Sequence, residues 1–443
     1  MTSKPSIAFI GLGAMGFGMA TNLIKRGYSV TGFDVWGPTL DKFKAAGGLA
    51  ATTPAETVKD KDYVVCMVAT AAQAQAVLIE GDGPALGALS QGAAVLLCST
   101  VPSSYVQALA KQLKALGRED VVLVDAPVSG GTYRAADGTL SIMAAAEDTA
   151  IERTRFLLEE MSDPKKLYIV KGGVGGGSNL KMVHQVLAAV QILAASEAMG
   201  FAKHLGLDLP KTAEHILTSQ GKSWMFENRV PRMLHPEFQP LASALTIILK
   251  DTSIITSEAR RIGFPTPLSS AAEQVYFAGL GKGYGPDDDS GMIRVYTEGA
   301  GKVGPVASTA RTDEDKLALV VNLLRGIHLA SAAECIAFAK RLGLDLDQVL
   351  DLCLNAAGGS VMLDTVGPEI LGIFGSASAP PKGSESLPRL AQELQDAVDE
   401  AQRLKVPVFL GCQALNISRL ALSHRPKTAP EATLGQIVRV WGV

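Results

Sequence analysis

The chain of 443 residues lacks the charge pattern of proteins that bind nucleic acids or membrane surfaces. Its 41 lysines and arginines and 44 aspartates and glutamates give a net charge of −3, and the basic residues form no run. Without a basic patch, the sequence offers nothing to attract phosphate backbones or anionic lipids. We therefore expect neither nucleic acid nor a membrane as a partner.

Cysteines are few, and none of them has the CxxC spacing of a zinc or redox site. They are scattered, mostly within apolar runs, which is typical of reduced side chains that pack inside an intracellular protein. We predict no disulfide and no bound metal. The cysteines are Cys66, Cys98, Cys335, Cys353 and Cys412.

Targeting signals and membrane spans are also missing from the sequence. The first residues, MTSKPSIAFIG, pass almost directly into a predicted strand, and the last, VRVWGV, form no peroxisomal or retention signal. The apolar run at residues 183–195 is shorter than the ~20 residues of a membrane helix and contains Gln185 and Gln191. We expect a soluble, cytoplasmic protein.

The sequence does contain a long internal repeat. FAKHLGLDL at residues 201–209 returns as FAKRLGLDL at residues 338–346, a shift of 137. Farther on, EARRIGFP at residues 258–265 matches EAQRLKVP at residues 400–407, a shift of 142. Because the two matches occur in the same order on either side of an insertion, they indicate an internal duplication.

The residues before the repeat predict a different fold. From Ser6 to about Val170, short β-branched runs alternate with amphipathic helical segments, which predicts a doubly wound parallel sheet. After Gly177 the pattern is helical in both copies, which the linker GAGKVGPVASTART separates. We therefore predict an α/β Rossmann domain at residues 1–172 and two all-α helical domains at residues 173–305 and 306–443. The predicted strands are SIAFIG, YSVTGFD, YVVCMV, AAVLLCST, VVLVDAPV, LSIMAAA and LYIV.

A glycine motif at the end of the first predicted strand indicates a dinucleotide site. The glycines of GxGxxG permit a tight turn and a close approach of the backbone to a pyrophosphate. The helix that follows presents its positive end to that anion. The alternative is a turn that only packs a helix on a strand. The expected contacts are Gly11, Leu12, Gly13, Ala14, Met15 and Gly16.

Asp34 strengthens the dinucleotide prediction. It ends the next predicted strand, 23 residues after Gly11, where a carboxylate binds the ribose diol of the adenosine. The same charge repels the 2′-phosphate of NADP, and the following Val35 and Trp36 include no arginine to bind one. The sequence therefore favours NAD over NADP as the cofactor. Further expected cofactor contacts are Val68, Ala69 and Thr70.

Small polar residues follow other predicted strands, at the ends where a doubly wound sheet binds its ligands. Thr100 follows one strand, and Ser129, Gly130 and Gly131 follow another. The latter three are small enough for two backbone N–H groups and a hydroxyl to converge on one carboxylate. A Gly/Ser turn without a ligand explains the same residues equally well.

Lys181 is the candidate general acid/base. It follows the run GGVGGGSNL at the start of an apolar helix, with Gln185 one turn on and His184 beside it. Partial burial and the positive end of a helix would both make its ammonium lose a proton readily, so that the amine accepts a hydroxyl proton. The alternatives are a solvated lysine and a histidine of the core.

Two further segments are candidates for the walls of the same site. Lys250, beside Asp251, is either a second cation for substrate or cofactor or an ion-paired lysine on a helix surface. Trp224, Phe226 and Asn228 are candidate lining residues, although an aromatic pair at this spacing also suits a core.

Several of these motifs, taken in order, resemble one family. GLGAMG, the DAPVSGG to GTL stretch at residues 125–140, GGVGGGSNLK and LKD are similar to the β-hydroxyacid dehydrogenases. That family includes 3-hydroxyisobutyrate dehydrogenase, tartronate semialdehyde reductase and, more distantly, 6-phosphogluconate dehydrogenase. The resemblance covers residues 6–300. It implies an oxidoreductase in which Lys181 is the acid/base, residues 129–131 hold the substrate carboxylate, and Thr100 and Lys250 contact the nicotinamide cofactor.

One departure narrows the resemblance. Many members carry Asn four residues after the catalytic lysine, whereas this chain has Gln185, preceded by His184. With SWMFENRVP and FPTPLSSAAEQVY, this variant looks most like the L-threonate dehydrogenase branch. The implied substrate is a four-carbon sugar acid such as L-threonate or D-erythronate. His184 and Gln185 would bind its extra hydroxyls, and Asn228 is a further expected substrate contact.

Two other functions stay open from the sequence. One is an NADPH-dependent reductase of small aldehyde or keto acids, such as succinic semialdehyde, glyoxylate or tartronate semialdehyde, or a 3-hydroxyisobutyrate dehydrogenase. The other is a non-catalytic dinucleotide-binding protein.

The second copy of the repeat lacks the candidate catalytic residues. Ala318 stands in the place of Lys181, and Gln392 in the place of Lys250. In the family that the chain resembles, paired helical domains generally form a dimer interface, and 6-phosphogluconate dehydrogenase carries a duplicated helical domain. We therefore expect one site per chain, and either a monomer with an internal pseudo-dimer or a homodimer.

Overall fold

The computed structural model describes residues 4–298, 312–375, 385–423 and 431–442 of the chain. The chain divides into two compact units, Met1–Lys181 and Met182–Val443. The predicted boundary between residues 305 and 306, and all but the last residue of the predicted linker, lie outside the described residues.

The first unit is built on a six-stranded parallel sheet. Its order is β3-β2-β1-β4-β5-β6, so the chain reverses its direction of travel across the sheet between β1 and β4. This is the arrangement that the alternation of strands and helices predicts. The two-residue edge strand β3 is an addition to the predicted set. The strands are β1 (Ile7–Ile10), β2 (Val30–Phe33), β3 (Leu49–Ala50), β4 (Tyr63–Cys66), β5 (Ala94–Leu97) and β6 (Val122–Asp125).

Helices cover both faces of this sheet, which explains why its central strands are apolar on both sides. Along β1, Ile7 and Phe9 belong to one buried cluster, while Ala8 and Ile10 belong to the cluster on the opposite face. This follows from the period of two residues in a strand. The helices of the unit are α1 (Gly16–Lys25), α2 (Gly37–Ala45), α3 (Pro54–Val58), α4 (Ala71–Gln75), α5 (Ser103–Ala115), α6 (Gly131–Asp137) and α7 (Asp148–Met161).

Two of the predicted strands lie in a second, separate sheet. LSIMAAA and LYIV contribute to β8 (Leu140–Ala144) and β9 (Ser162–Ile169), which join β7 (Val128–Ser129) in the order β7-β8-β9. β7 pairs antiparallel with β8, and β8 pairs parallel with β9. The short α6 between β7 and β8 reverses the chain, whereas a parallel crossover needs a dozen or more residues. The prediction that these runs join the main parallel sheet is therefore wrong.

The second unit is helical throughout its described residues, as the loss of strand patterns after Gly177 predicts. α8 spans the division between the units. The helices are α8 (Gly176–His204), α9 (Leu209–Leu217), α10 (Trp224–Met233), α11 (Leu245–Arg261), α12 (Pro267–Gly281), α13 (Arg294–Thr297), α14 (Asp313–Arg341), α15 (Leu346–Asn355), α16 (Val361–Ile373), α17 (Leu387–Leu404) and α18 (Phe409–Ser423).

The order of these helices follows the sequence repeat. α15 and α16 begin 137 residues after α9 and α10, and α17 and α18 begin 142 residues after α11 and α12. The helix starts therefore carry the same two shifts as the sequence, including the change of shift between the second and third pair.

The long helices α8 and α14 form the centre of the repeated part. Each has 29 residues and is long and apolar enough to cross a membrane by length and composition. The most apolar stretch of α8 is 100% buried inside the structure and that of α14 is 94% buried, so both are core helices. The helix around residues 183–195 is thus longer than the sequence predicts, because it continues through buried polar side chains such as Gln191.

Two buried glutamates connect the repeats in a reciprocal way. Glu197 on α8 accepts backbone N–H groups from the first turn of α18 at 3.0 and 2.8 Å. Glu334 on α14, at a shift of 137, accepts N–H groups from the first turn of α12 at 2.8 and 2.9 Å and a hydroxyl at 2.6 Å. The first N–H groups of a helix have no partner within it, so each carboxyl satisfies the exposed end of a helix from the other copy.

A second pair of contacts has the same reciprocity. The N–H of Trp224 donates to the carbonyl of Gly359 at 2.8 Å, and the N–H of Val361 donates to the carbonyl of Lys222 at 3.2 Å. Each donor and each acceptor is 137 residues from its counterpart. The two helical segments therefore pair about a local pseudo-twofold axis.

Four of the five cysteines are buried, as the sequence predicts, and all five are free thiols. Cys412 on α18 is the exception, because it is exposed.

Candidate active site

The glycine loop between β1 and α1 has two glycines that the fold itself requires. Gly11 has a φ of +94°, and a Cβ there would lie 2.3 Å from the carbonyl oxygen of Met67. A Cβ on Gly16 would lie 1.9 Å from the carbonyl oxygen of Gly11. Gly13 is different, because a Cβ there would meet nothing within 4 Å. Its exposed backbone is open to a close ligand, which fits a pyrophosphate at the start of α1.

Asp34 is fixed between this loop and the end of β2. Its Oδ2 accepts the N–H of Leu12 at 2.8 Å, and its Oδ1 accepts the N–H of Trp36 at 2.9 Å. Leu12 is itself buried and contributes only its backbone, whereas Ala14 is exposed and Met15 half-buried. Val35 and Trp36 are 89% and 65% exposed. The carboxylate therefore stands where the ribose of a dinucleotide is expected, with no arginine next to it in the sequence.

The remaining predicted cofactor residues of the first unit follow β4 and β5. The N–H of Val68 donates to the hydroxyl of Ser99 at 2.9 Å, and the exposed Ala69 donates its N–H to Gln73. The hydroxyl of Thr70 caps α4 by accepting the N–H of Gln73, so it already has a structural role. Thr100 lies directly after the buried Ser99. All four residues lie at the carboxyl edge of the parallel sheet, which is also the edge of the glycine loop.

Residues 129–131 form the turn from β7 into α6. Ser129 is 8% exposed. Gly130 and Gly131 have φ values of +141° and +75°, which favour glycine, and a Cβ on Gly131 would meet nothing within 4 Å. The turn thus presents exposed glycine backbone beside a nearly buried hydroxyl. This geometry suits a carboxylate ligand and also fits the alternative of a plain turn.

Asp125, in the same motif, is a buried anchor. At the end of β6, its Oδ2 accepts the N–H groups of Gly175 and Ser178 at 3.0 and 2.7 Å, and its Oδ1 accepts the hydroxyl of Ser178 at 2.7 Å. Burial raises the pKa of Asp125 to about 6, although these hydrogen bonds favour the ionised form. The sequence names Asp125 only as the first letter of a motif. The available signal was a carboxylate ending an apolar strand, because such a group is buried only with partners.

Lys181 is buried on α8, with 5% of its surface exposed. The helix begins at Gly176, five residues before the point that the sequence suggests. The alternative of a solvated lysine at a helix start therefore does not describe this residue. Because side chains three and four residues apart share a helix face, Lys181, His184 and Gln185 lie on one side of α8.

In the second unit, a chain of contacts joins His184, Gln185 and Lys250 through Asp251. The amide of Gln185 donates from Nε2 to Asp251 Oδ2 at 2.5 Å, and its Oε1 lies 3.1 Å from His184 Nδ1. Lys250 Nζ lies 3.1 Å from Asp251 Oδ1. A carboxylate only accepts, so it turns Nε2 of Gln185 towards itself and Oε1 towards His184, whose Nδ1 must carry the proton. Asp251 is 6% exposed, and the sequence treats it only as a neighbour of Lys250.

Asn228 belongs to a different cluster. On α10, its Oδ1 accepts hydrogen bonds from Arg229 at 2.8 Å and Arg232 at 3.2 Å. These arginines pair with Asp289 and Asp288 at 2.8 and 3.0 Å. Asn228 is therefore held by an ion-pair cluster and not by the His184 to Lys250 chain. Of the two aromatic candidates, Phe226 is fully buried and Trp224 is 38% exposed, so Phe226 is a core residue.

Comparison with known proteins agrees with this geometry. Residues 6–173 match the family described as the NAD binding domain of 6-phosphogluconate dehydrogenase. Residues 175–296 and again 315–434 match the family described as NAD-binding of NADP-dependent 3-hydroxyisobutyrate dehydrogenase. The chain belongs to the β-hydroxyacid dehydrogenases. It is therefore an oxidoreductase with an NAD(P)-binding Rossmann fold, as the motifs imply.

Individual β-hydroxyacid dehydrogenases match about two thirds of the chain. The L-threonate dehydrogenase of Cupriavidus necator is 38% identical over 291 residues, which are 66% of this chain and 96% of that protein. The crystal structure of 3-hydroxyisobutyrate dehydrogenase from Salmonella typhimurium is 33% identical with a TM-score of 0.61, and covers 66% of this chain and 100% of its own.

A third similarity extends over nearly the whole chain. The 6-phosphogluconate dehydrogenase of Plasmodium falciparum has a TM-score of 0.71 and covers 95% of this chain and 94% of its own, at 16% identity. At that identity the likeness concerns the fold alone. It includes the second helical segment, which lies beyond the extent of the shorter relatives.

Proposed function

We propose that the chain is an NAD-dependent dehydrogenase that oxidises a four-carbon sugar acid, such as L-threonate or D-erythronate, at C2. The observation that carries the proposal is the ordered polar face of α8, where the buried Lys181 precedes His184 and Gln185. Asp251 orients the Gln185 amide, as expected for a group that must present defined donors and acceptors to a substrate. The similarity to L-threonate dehydrogenases supports the choice of acid.

In the proposed reaction, Lys181 acts as the base. Its neutral amine accepts the proton of the C2 hydroxyl as the C2 hydride leaves, so that the alcohol becomes a ketone and the amine an ammonium. The nicotinamide cofactor, when bound, supplies the hydride acceptor. In the reverse direction the Lys181 ammonium returns the proton to the ketone oxygen.

The other candidate residues would position the acid. The Ser129 hydroxyl and the backbone N–H groups of Gly130 and Gly131 would bind its carboxylate. With the proton on Nδ1, a neutral His184 has an acceptor at Nε2, which suits a hydroxyl donor such as those at C3 or C4 of a sugar acid. Lys250, paired with Asp251, would contact the cofactor.

The preference for NAD rests on Asp34. Two backbone N–H groups orient its carboxylate, so the negative charge is held at the position of the adenosine ribose. A 2′-phosphate at that position would meet this charge and the apolar side chains of Val35 and Trp36.

A screen of C3 to C6 hydroxy acids with NAD and with NADP tests both parts of the proposal. We expect the highest kcat/KM for L-threonate or D-erythronate with NAD. Turnover confined to NADPH with succinic semialdehyde, glyoxylate or tartronate semialdehyde would assign a reductase instead. Tight NAD binding without turnover of any acid would favour a non-catalytic dinucleotide-binding protein.

We also propose that the second helical segment is a duplicate that takes the place of a partner subunit. Its helix starts repeat those of the first segment, and the Glu197 and Glu334 contacts are reciprocal. Ala318 and Gln392 stand in the places of Lys181 and Lys250. The chain would then have three domains, one catalytic site and its pairing surface satisfied internally.

A further inference from the structure

Asp125 connects the two parts of the first unit that carry the proposed substrate chemistry. It ends β6, four residues before Ser129, and is fully buried. Its three hydrogen bonds all come from neutral donors, namely the N–H of Gly175, the N–H of Ser178 and the hydroxyl of Ser178. One carboxylate thus holds both the loop before α8 and the first turn of that helix.

The peptide of Gly175 is held from both sides. Its N–H donates to Asp125, and its carbonyl accepts the hydroxyl of Ser103 at 2.9 Å. Its φ is +96°, and a Cβ there would lie 2.7 Å from the Ser103 oxygen and 2.9 Å from Nε2 of Gln107. Neither a side chain nor a displaced backbone fits at this point, so the loop enters α8 along one path.

The first turn of α8 also packs directly on strand backbone. A Cβ on Gly177 would lie 2.2 Å from the carbonyl oxygen of Met143 in β8 and 2.8 Å from that of Asp125. Because Asp125 anchors Ser178 at the same place, the helix start has contacts with the ends of both β6 and β8. These contacts set where α8 begins and how it rotates about its axis.

Lys181 lies three residues after Ser178, so the two side chains share a face of the helix. A helix transmits a displacement of its first turn to the next one, and a misplacement of about 1 Å in a reacting group can reduce turnover about 10²-fold. We infer that Asp125 is a positioning residue, which holds the first turn of α8 and thereby sets the place of the Lys181 amine relative to residues 129–131. The inference rests on the proposed function, in which Lys181 is the base.

Asp125→Asn in the full chain tests the inference. The amide keeps the volume of the carboxylate but replaces one acceptor oxygen by an N–H₂ group that faces N–H donors. We expect kcat for the preferred acid to fall about 10- to 100-fold, in line with a displaced reacting group. The affinity for NADH should be unchanged, because the glycine loop and Asp34 are not involved. Hydrogen exchange should be faster at the amides of Gly175 and Ser178.

Two matched variants complete the experiment. Asp82→Asn makes the same chemical change at an exposed position and should leave kcat and exchange unaltered. Ser178→Ala removes one of the three hydrogen bonds without placing a new donor against N–H groups. It should lower kcat several-fold and decides the question if Asp125→Asn does not fold.

The possible outcomes are distinguishable. An active wild type with an unchanged kcat in Asp125→Asn, or in Ser178→Ala if the first variant does not fold, overturns the inference alone. A wild type that is inactive on every hydroxy acid overturns the proposed function, and the inference with it. A loss of NADH affinity equal to the loss of kcat would show a general structural role and would also overturn the positioning role.

Discussion

Lys181 occupies a place in which a lysine is costly unless it has a use. An amine with 5% of its surface exposed has lost most of its contact with water, and burial of a charged or polar group costs free energy that its surroundings must offset. Most lysines remain solvated for this reason. Together with the polar groups one turn further along α8, the burial separates this lysine from those that only cover a helix.

We expect Lys181→Ala to lower kcat by about 10²- to 10⁴-fold, the contribution typical of a positioned acid/base. NADH affinity should be largely retained, since the glycine loop and Asp34 are unchanged. Steady-state NADH absorbance and a fluorescence titration measure the two quantities. Lys203→Ala, at an exposed position of the same helix, is the control and should match the wild type. Retention of a tenth of the rate in Lys181→Ala would rule out the proposed role.

Which residues the sequence could identify depends on the distance over which they act. Gly11 and Asp34 belong to a motif of fixed spacing, so their places at the glycine loop follow from the sequence. Asp125 and Asp251 act on partners up to 53 and 66 residues away, and no local pattern marks such pairs. Asn228 shows the converse, because its neighbours Arg229 and Arg232, which the sequence places beside it, take up its carbonyl oxygen.

At the scale of elements, the repeat predicted more than local propensity did. The shifts of 137 and 142 give the starts of four helices in the second segment from those in the first. The β7-β8-β9 sheet was missed, because LSIMAAA has the same apolar pattern as a strand of the parallel sheet. Only the short connection through α6, which reverses the chain, distinguishes the two cases.

The repeat is not symmetrical in every contact. Gln191 on α8 donates to the carbonyl of Gly358 at 2.8 Å. His328 takes its place on α14, and among the described residues neither of its ring nitrogens has a hydrogen-bond partner. Burial lowers the pKa of His328 to about 4, so the imidazole is neutral at ordinary pH. The fold is thus duplicated while individual contacts have diverged.

The reciprocal glutamates make the pairing of the two segments dependent on pH. Burial raises the pKa of Glu197 and of Glu334 to about 7, although the N–H groups that they accept favour the ionised form. The ordinary value is 4.5, so the folded chain holds these protons more tightly than the unfolded chain. The resulting stabilisation is complete below about pH 4.5 and is lost as the pH rises to about 7.

We therefore expect Glu334→Gln to flatten the dependence of stability on pH between about pH 5 and 8. In the wild type, the free energy of unfolding should fall over this range by about 1–3 kcal/mol per buried glutamate, since one pKa unit corresponds to about 1.4 kcal/mol. Urea unfolding at several pH values measures the slope. Glu197→Gln should behave in the same way, and Glu214→Gln, at an exposed position of α9, should not. An unaltered slope in Glu334→Gln would contradict the assignment.

At the scale of the whole molecule, the second segment resolves a problem of exposed surface. Without α14 to α18, the apolar side of α8 and the first N–H groups of α12 would face water, because Glu334 and its helix cover them. In many oligomeric proteins a second subunit covers such a surface through a self-complementary contact. The reciprocal shifts of 137 and 142 show that this chain makes the equivalent contact with itself.

The full chain should therefore be a monomer of 46.3 kDa, and a chain that ends after residue 298 should be a dimer. The shorter chain keeps Glu197 and the start of α12, and the repeat makes Glu197 equivalent to the lost Glu334. In a pair of shortened chains, each Glu197 can accept the N–H groups at the start of α12 in the other. Light scattering after size exclusion measures both masses. Glu197→Ala in the shortened chain should weaken its dimer, and a shortened chain as monomeric and as active as the whole would refute the internal pairing.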